Sequence, residues 1–142
     1  MRTRSRARSW ALQALYAWES RGGEGSPARF VDSFLLGRRI NIESEEYLRV
    51  LLELIDDHLG EIDHEVDASL ENWRMERLSV IDRNVLRIGA AELLFSPDVP
   101  PRVAIQEAIR LAERFGTDQS ARFVNGVLDA LMRTSDRAGE IR

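Results

Sequence analysis

Apolar residues recur at helical spacing from one end of this chain to the other, and no segment alternates convincingly as a strand. Ala7, Trp10, Ala11, Ala14, Leu15 and Trp18 step by 3, 1, 3, 1 and 3, one stripe of a helix over residues 3–19. Gly22-Gly23-Glu24-Gly25-Ser26-Pro27 then breaks the chain, and a short second helix over about 27–36 carries Phe30, Val31, Phe34 and Leu35. Residues 43–59 repeat the pattern with Tyr47, Leu48, Leu51, Leu54, Ile55 and Leu59. Gly60 marks a stop or kink, and residues 61–73 continue with Ile62, Val66, Leu70 and Trp73. Ser79 followed by Asp82 is a weak capping box opening a helix to Phe95. Ile81, Val85, Ile88, Leu93 and Leu94 leave that helix apolar over much of its circumference, so it is expected at the centre.

Pro101 suits the first turn of the next helix, which places Ala104, Ile105, Ala108, Ile109, Leu111 and Ala112 inward and ends at Phe115, with Gly116 as its cap. A last helix, about 118–133, carries Val124, Val127, Leu128 and Leu131. Within it, Phe123-Val124-Asn125-Gly126-Val127-Leu128 is also the best hairpin motif in the chain, an Asn-Gly between apolar pairs. The flanks decide for helix, because Ala121 and the run Asp129-Ala130-Leu131-Met132-Arg133 keep a 3.6 period with good helix formers. Gly126 then costs about 1 kcal/mol inside a helix, which leads us to expect another backbone or a ligand close to it. The fold class is all-α, with no repeat at solenoid periods and one domain expected over residues 1–142.

Composition removes several chemistries. There is no cysteine, so no disulfide, thiolate zinc site, iron–sulfur cluster or cysteine nucleophile. All 20 basic side chains are arginine, so no Schiff base forms on a side-chain amine and no P-loop lysine meets phosphate. The longest uncharged stretch, Ser9 to Trp18, is far short of the roughly 20 residues that span a bilayer, and the start lacks the apolar core of a secretory signal. A soluble cytoplasmic protein is expected, with no membrane contact.

Charge is unevenly distributed. The net value of −4 argues, taken alone, against a nucleic-acid binder. Residues 1–18, however, carry Arg2, Arg4, Arg6 and Arg8 and no acid, whereas residues 43–76 hold twelve acids against Arg49 and Arg74. That division suggests one surface for an anion and another for something basic, against the plainer reading of solvated helix faces.

The first helix has a second stripe. Arg2, Arg6, Ser9, Gln13 and Tyr16 fall at spacings of 4, 3, 4 and 3, and Arg4 and Arg8 flank them near the helix start. Guanidinium groups for phosphates, an amide for base edges and a ring for stacking are what single-stranded RNA asks for. A frayed, solvated N-terminus with Tyr16 capping the core is the competing account. Elsewhere the chemistry is sparse. His58 and His64 lie among Asp56, Asp57, Glu61, Asp63, Glu65 and Asp67, but helical geometry scatters them and no metal is expected. The glycine-rich Gly22-Gly23-Glu24-Gly25 follows no strand, which argues against a phosphate cradle. With both histidines in the acidic segment, a Ser-His-Asp triad has little support. Trp10, Trp18 and Trp73 are expected as core or boundary aromatics, and no catalytic residue or cofactor is expected anywhere.

The residues carry a resemblance. Arg4-x-Arg6-Ala7-Arg8 followed by Ala11-Leu12-Gln13-Ala14-Leu15-Tyr16-x-Trp18 resembles the opening of the NusB family of bacterial antitermination factors. Asp82-Arg83-x-x-Leu86-Arg87-Ile88, Glu92-Leu93 and Val99-Pro100-x-x-Val103-Ala104-Ile105-x-Glu107-Ala108 agree in the family's order. Ala112-x-x-Phe115-Gly116 and Ser120-x-x-Phe123-Val124-Asn125-Gly126-Val127-Leu128-Asp129 close the match, and residues 20–72 agree mainly in helical pattern.

The resemblance implies about seven helices in two three-helix bundles packed across each other. It implies a factor that binds the boxA element of ribosomal RNA leaders together with NusE, a small-subunit ribosomal protein, within an antitermination complex with RNA polymerase. On it, Arg4, Arg6 and Arg8 meet RNA, Gln13 and Tyr16 share that surface, and Gln119, Arg122 and Phe123 form its second part; the helical stripe adds Arg2 to these RNA-binding candidates. Glu76 and Asp82 fall on the NusE side, which suits a basic partner. Two residues depart from the family pattern. Gln106 stands where asparagine is usual. Gln119 replaces an acid beside a polyanion and is expected to strengthen RNA binding modestly, which comparison with Gln119→Asp on one RNA checks.

Two further readings compete. A NusB-like domain of a ribosomal RNA cytosine methyltransferase would need a cofactor domain for which 142 residues leave no room. A helical dimerisation or DNA-binding regulator lacks support because no helix-turn-helix stands out. Whether the free protein is a monomer or a homodimer is open at the level of sequence.

Overall fold

The computed structural model describes residues 3–140, and among them lie seven α-helices, two short 3-10 turns and no strand. In chain order the helices are α1 (Thr3–Ser20), α2 (Pro27–Leu35), α3 (Ile42–Asp57), α4 (Leu59–Ala68), α5 (Val80–Phe95), α6 (Pro101–Phe115) and α7 (Ser120–Thr134). The all-α expectation is met. Local chemistry explains most boundaries. Ser26 caps α2 by accepting the Arg29 N–H at 3.2 Å, with Pro27 in the first turn. Asn41 caps α3 by accepting the Glu43 N–H at 2.8 Å, and Ser79 caps α5 by accepting the Asp82 N–H at 3.1 Å.

Three local expectations differ from the structure. The break between α3 and α4 falls at His58 rather than Gly60, which sits inside the first turn of α4. The His58 ring stacks on Phe95 with centroids 3.8 Å apart and planes 7° apart, which holds the junction against the end of α5. Next, α4 stops at Ala68 instead of running to residue 73. Ser69 turns its hydroxyl back to the Glu65 carbonyl at 3.0 Å, and the Asp67 carboxylate accepts the Met75 N–H at 3.1 Å, so the chain folds back on itself. Lastly, α7 runs through Gly126 as expected, but a Cβ there would meet nothing within 4 Å. Close approach happens at Gly89 instead, where a Cβ would stand 2.6 Å from Leu128 Cδ1 and 3.2 Å from Ala108 Cβ. Gly116 does end α6, in an extended rather than left-handed conformation. Its missing Cβ leaves room for Ser120, whose own Cβ would be 2.6 Å away.

Helices α1, α2 and α3 pack on one another, as do α5, α6 and α7, while α1 crosses onto α5 and α4 lies against α5 and α7. This is the two-bundle arrangement. One contiguous apolar cluster runs through it, with Leu12, Leu15, Leu52, Ile55, Leu86 and Leu128 shielded from solvent. Each such side chain contributes about 1.5–3 kcal/mol of burial. Ala7, Ala11 and Ala14 on α1 and Gly89, Ala90 and Ala91 on α5 let the backbones approach at the centre.

A cluster of charges marks each end of the α1–α5 crossing. Arg8 of α1 donates to both oxygens of Glu92 on α5 at 2.9 and 3.0 Å. Near the other end, Glu19 of α1 accepts from Arg83 and Arg87 of α5. An early residue of α1 therefore meets a late one of α5, and the reverse, so the two helices run antiparallel in a register that the ion pairs specify. Such pairs fix geometry more than they add stability.

Candidate nucleic-acid interface

The arginines that open α1 separate into different environments. Arg6 is exposed and makes no ion pair with any described residue. Arg4 is also exposed and pairs with Asp98 at 3.1 Å, while its guanidinium lies 4.4 Å from the centre of the Tyr47 ring. An exposed pair of this kind is worth little, so Arg4 can trade Asp98 for another anion. Arg2 lies outside the described residues. Arg8 is the exception to the expected outward patch: it is only 3% exposed.

Its surroundings account for that. Besides Glu92, the Arg8 guanidinium donates to Glu107 of α6 at 3.1 Å, and Tyr47 of α3 donates its hydroxyl to Glu92. Burial alone would lower the Arg8 pKa, but the hydrogen bond and charge of Glu92, joined by Glu107, raise it, so the residue stays charged inside. Burial and the neighbouring Glu92 carboxylate push the Tyr47 phenol above its ordinary value, so it stays neutral and donates. Arg8 thus faces the bundle interior, and a direct phosphate contact would require breaking this cluster.

Ser5 donates to Glu107, and Arg114 of α6 reaches the Ser9 hydroxyl at 3.5 Å, so α6 lies alongside α1. This brings two further exposed arginines, Arg110 and Arg114, to the Arg6 side of α1. Arg114 is unpaired among described residues and lies over the Phe115 ring at 4.9 Å, and Arg110 is held only loosely by Glu107 at 3.5 Å. Both escaped the sequence reading. Their i, i+4 spacing was visible, but nothing local to α6 says which helix lies beside it.

Gln13 and Tyr16 are exposed on the same side, and the Gln13 amide donates back to the Ser9 carbonyl at 3.2 Å. They share a cleft with Phe34, Arg38, Ile81 and Phe115, and Tyr16 is 47% exposed there. One residue further along α5 and one turn beyond α6, a second cleft is lined by Trp73, Arg77, Asp82, Gln119 and Phe123. The two clefts meet the same elements at neighbouring positions, Ile81 and Asp82 on α5 and Phe115 and Thr117 at the end of α6. Ser120 shapes the Gln119–Phe123 corner by accepting the Thr117 N–H at 3.0 Å, which leaves Gln119 and Arg122 outward and Phe123 half-buried.

The two acids expected on the protein-partner side are not brought into one cleft. Glu76 is exposed on the 3-10 turn Met75–Arg77 and lines a cleft with Trp18, Glu19, Asp63, Asp67 and Arg83. Asp82 lies in the first turn of α5 and lines the cleft of Trp73, Arg77 and Gln119, and its Oδ1 is buried with no hydrogen-bond partner among the described residues. An orphaned carboxylate oxygen is costly, and a partner's donor arriving there would satisfy it.

Among the described residues no three histidine, aspartate or glutamate side chains converge as a metal site, and no helix is long and apolar enough to cross a membrane. Fold and surface together define an all-helical binding protein, one whose polar groups are spent on holding helices in register and on presenting charge. The NusB family model matches residues 5–133. The chain is 39% identical over 142 residues to the transcription antitermination protein NusB of Sorangium cellulosum, covering 100% of both. It is 41% identical over 134 residues to the protein of that name from Treponema pallidum, covering 93% of this chain and 94% of the other. T. maritima NusB superposes with a TM-score of 0.83 at 36% identity, over 96% of this chain and 95% of that one. A structure of the antitermination factors NusB and NusE in complex with dsRNA contains a chain matching with a TM-score of 0.82 at 30% identity, over 94% and 98%. This chain belongs to the NusB family. Membership makes it a transcription antitermination factor rather than an enzyme.

Proposed function

We propose that the protein binds boxA-type single-stranded RNA together with NusE, in the cytoplasm, as part of an antitermination complex with RNA polymerase. One observation carries this reading: Arg114 of α6 reaches Ser9 of the α1 stripe, and Gln13 and Tyr16 line a cleft that ends at Phe115, two residues before the corner of Thr117, Gln119 and Phe123. Arg6 and Arg114 pair with no carboxylate among the described residues, so phosphates are their natural partners. Arg4 joins them by releasing Asp98, Arg110 by releasing Glu107, and Arg122 lies at the far end of the track. Arg2 extends the same stripe by its position in sequence.

Arg8 takes a positioning role here. Its ion pairs with Glu92 and Glu107 tie α1 to α5 and α6, and so hold Arg4, Arg6 and Arg114 on one side. Asp82 and Glu76 serve the basic protein partner. Asp82 offers a desolvated acceptor whose pairing favours a cationic or amide donor, and Glu76 adds long-range attraction from the acidic side of the molecule. The relative solved with NusE is bound to dsRNA. A duplex presents phosphates but stacks its bases away from Tyr16 and Phe123, so an unpaired strand uses more of this face.

Titration of a labelled boxA-type RNA with and without NusE tests the reading, with a duplex of equal length as competitor. Tighter binding of the single strand in the presence of NusE is expected. Absence of binding in both conditions contradicts it. Asp82→Lys should weaken NusE binding while circular dichroism stays helical, and an unchanged NusE affinity would remove Asp82 from the interface. Sedimentation of the RNA-free protein reads any self-association directly.

A further inference from the structure

Trp73 is the one tryptophan of three that the fold leaves outside. Trp18 is buried and Trp10 half-buried, but Trp73 is 57% exposed, because α4 ends at Ala68 and the chain turns out before the 3-10 turn. An indole presents a large apolar face whose exposure to water is unfavourable, and such residues mark binding sites when polar groups gather round them. This one forms the wall between two clefts along α7. On one side it faces the space above Gly126, with Leu70, Arg122 and Phe123; on the other, that of Arg77, Asp82 and Gln119. The missing Cβ of Gly126 leaves the floor of the first cleft open, since nothing lies within 4 Å of where it would stand.

We propose that Trp73 is a stacking platform for one nucleotide of single-stranded RNA, seated in the cleft over Gly126 with its phosphates toward Arg122 and Arg77. The assignment rests on the RNA-binding reading above and extends its track beyond the Gln119–Phe123 corner. Charge selects the occupant. Arg77 and Arg122 are exposed and make no ion pair with any described residue, and Arg74 is held only by Glu76 at 3.9 Å. The acids of the two rims are Glu71 beside the first cleft and Asp82 in the second, and Asn72 and Gln119 add amides able to meet a base edge. An aromatic face between unpaired guanidinium groups and amides, continuous with a basic track, is the composition of a base-stacking site. Gly126 has no packing reason to lack a side chain, and a side chain there would fill the base's place.

The parent, Trp73→Ala and Trp73→Phe are titrated with one fluorescein-labelled boxA-type single-stranded RNA, and separately with NusE. Trp73→Ala should lose roughly 5- to 150-fold in RNA affinity, the range of one base–aromatic stack, while Trp73→Phe keeps most of it. NusE affinity and the circular dichroism spectrum should not change in either variant. RNA affinity equal to the parent's in Trp73→Ala overturns the stacking site and leaves the wider RNA reading standing. Loss of NusE affinity instead of RNA affinity also overturns it, because the indole is then a protein anchor. Failure of the parent to bind RNA overturns both.

Discussion

Arg8 shows how one guanidinium can belong to an RNA-binding motif by sequence and to the interior by structure. It is buried with Glu92, Glu107 and Tyr47, so its removal strands two acids without their cation. Arg8→Ala should therefore destabilise the fold by about 3–5 kcal/mol, the cost of breaking a buried pair, in a urea titration. Arg6→Ala should stay within about 0.5 kcal/mol of the parent in the same experiment, because nothing in the described structure holds its side chain. Equal destabilisation of the two would contradict the division drawn between them. The spacing of the α1 arginines was legible in the sequence, including the outward stripe of Arg6, Gln13 and Tyr16. Helical spacing turns Arg8 roughly 200° from Arg6, in line with Leu12 and Leu15; what no local pattern conveyed was the pair of acids 84 and 99 positions away that hold it there.

At the scale of elements, the crossing of α1 on α5 and the packing of α5 against α7 set the shape of the face. Burial pushes the Glu19 carboxyl upward, but hydrogen bonds and charge from Arg83 and Arg87 prevail and hold it below the usual carboxylate range. A carboxyl depressed in the folded state contributes stability above its unfolded pKa, and that contribution is lost as pH falls through its folded value. Stability should thus decline on acidification below the ordinary carboxylate range, and Glu19→Gln should flatten that decline in denaturant titrations run at several pH values. An acid limb identical to the parent's would remove Glu19 from the account. Gly89→Ala should cost about 1–3 kcal/mol, since Leu128 and Ala108 must give way, whereas Gly126→Ala should stabilise α7 by up to about 1 kcal/mol. Thermal melts of the two single variants compare them directly.

Helix number, order and the caps at Ser79 and Gly116 could be read from the sequence because amphipathic periodicity and capping residues are local. Gly126 lacks the close neighbour expected of it, and Gly89, for which the sequence offered no expectation, has one, for the opposite reason. Whether a missing Cβ faces a neighbouring helix or open space depends on packing between elements distant in sequence. The early end of α4 escaped for a related cause: Leu70 and Trp73 continue its apolar period, and only the tie from Asp67 to Met75 turns the chain away.

Across the whole molecule, the net charge of −4 gives a poor account of what it attracts. Part of the acidic segment is spent internally, with Asp63 on Arg87, Asp67 on the Met75 N–H, Asp56 accepting from Ser26 and Glu45 on Arg49. The arginines of α1 and α6, far apart in sequence, are left facing solvent together. Counterion release makes this arrangement measurable, because each phosphate neutralised on a single strand adds about 0.7 to the salt slope of binding. The central claim is that this shared face of α1 and α6 holds RNA. It is tested most directly by the salt dependence of boxA-type RNA binding for the parent and for Arg6→Ala combined with Arg114→Ala. The double variant should bind more weakly, with the slope of log affinity against log salt reduced by up to about 1.4 and its melting unchanged. An affinity and a slope equal to the parent's would place the RNA elsewhere and contradict the account.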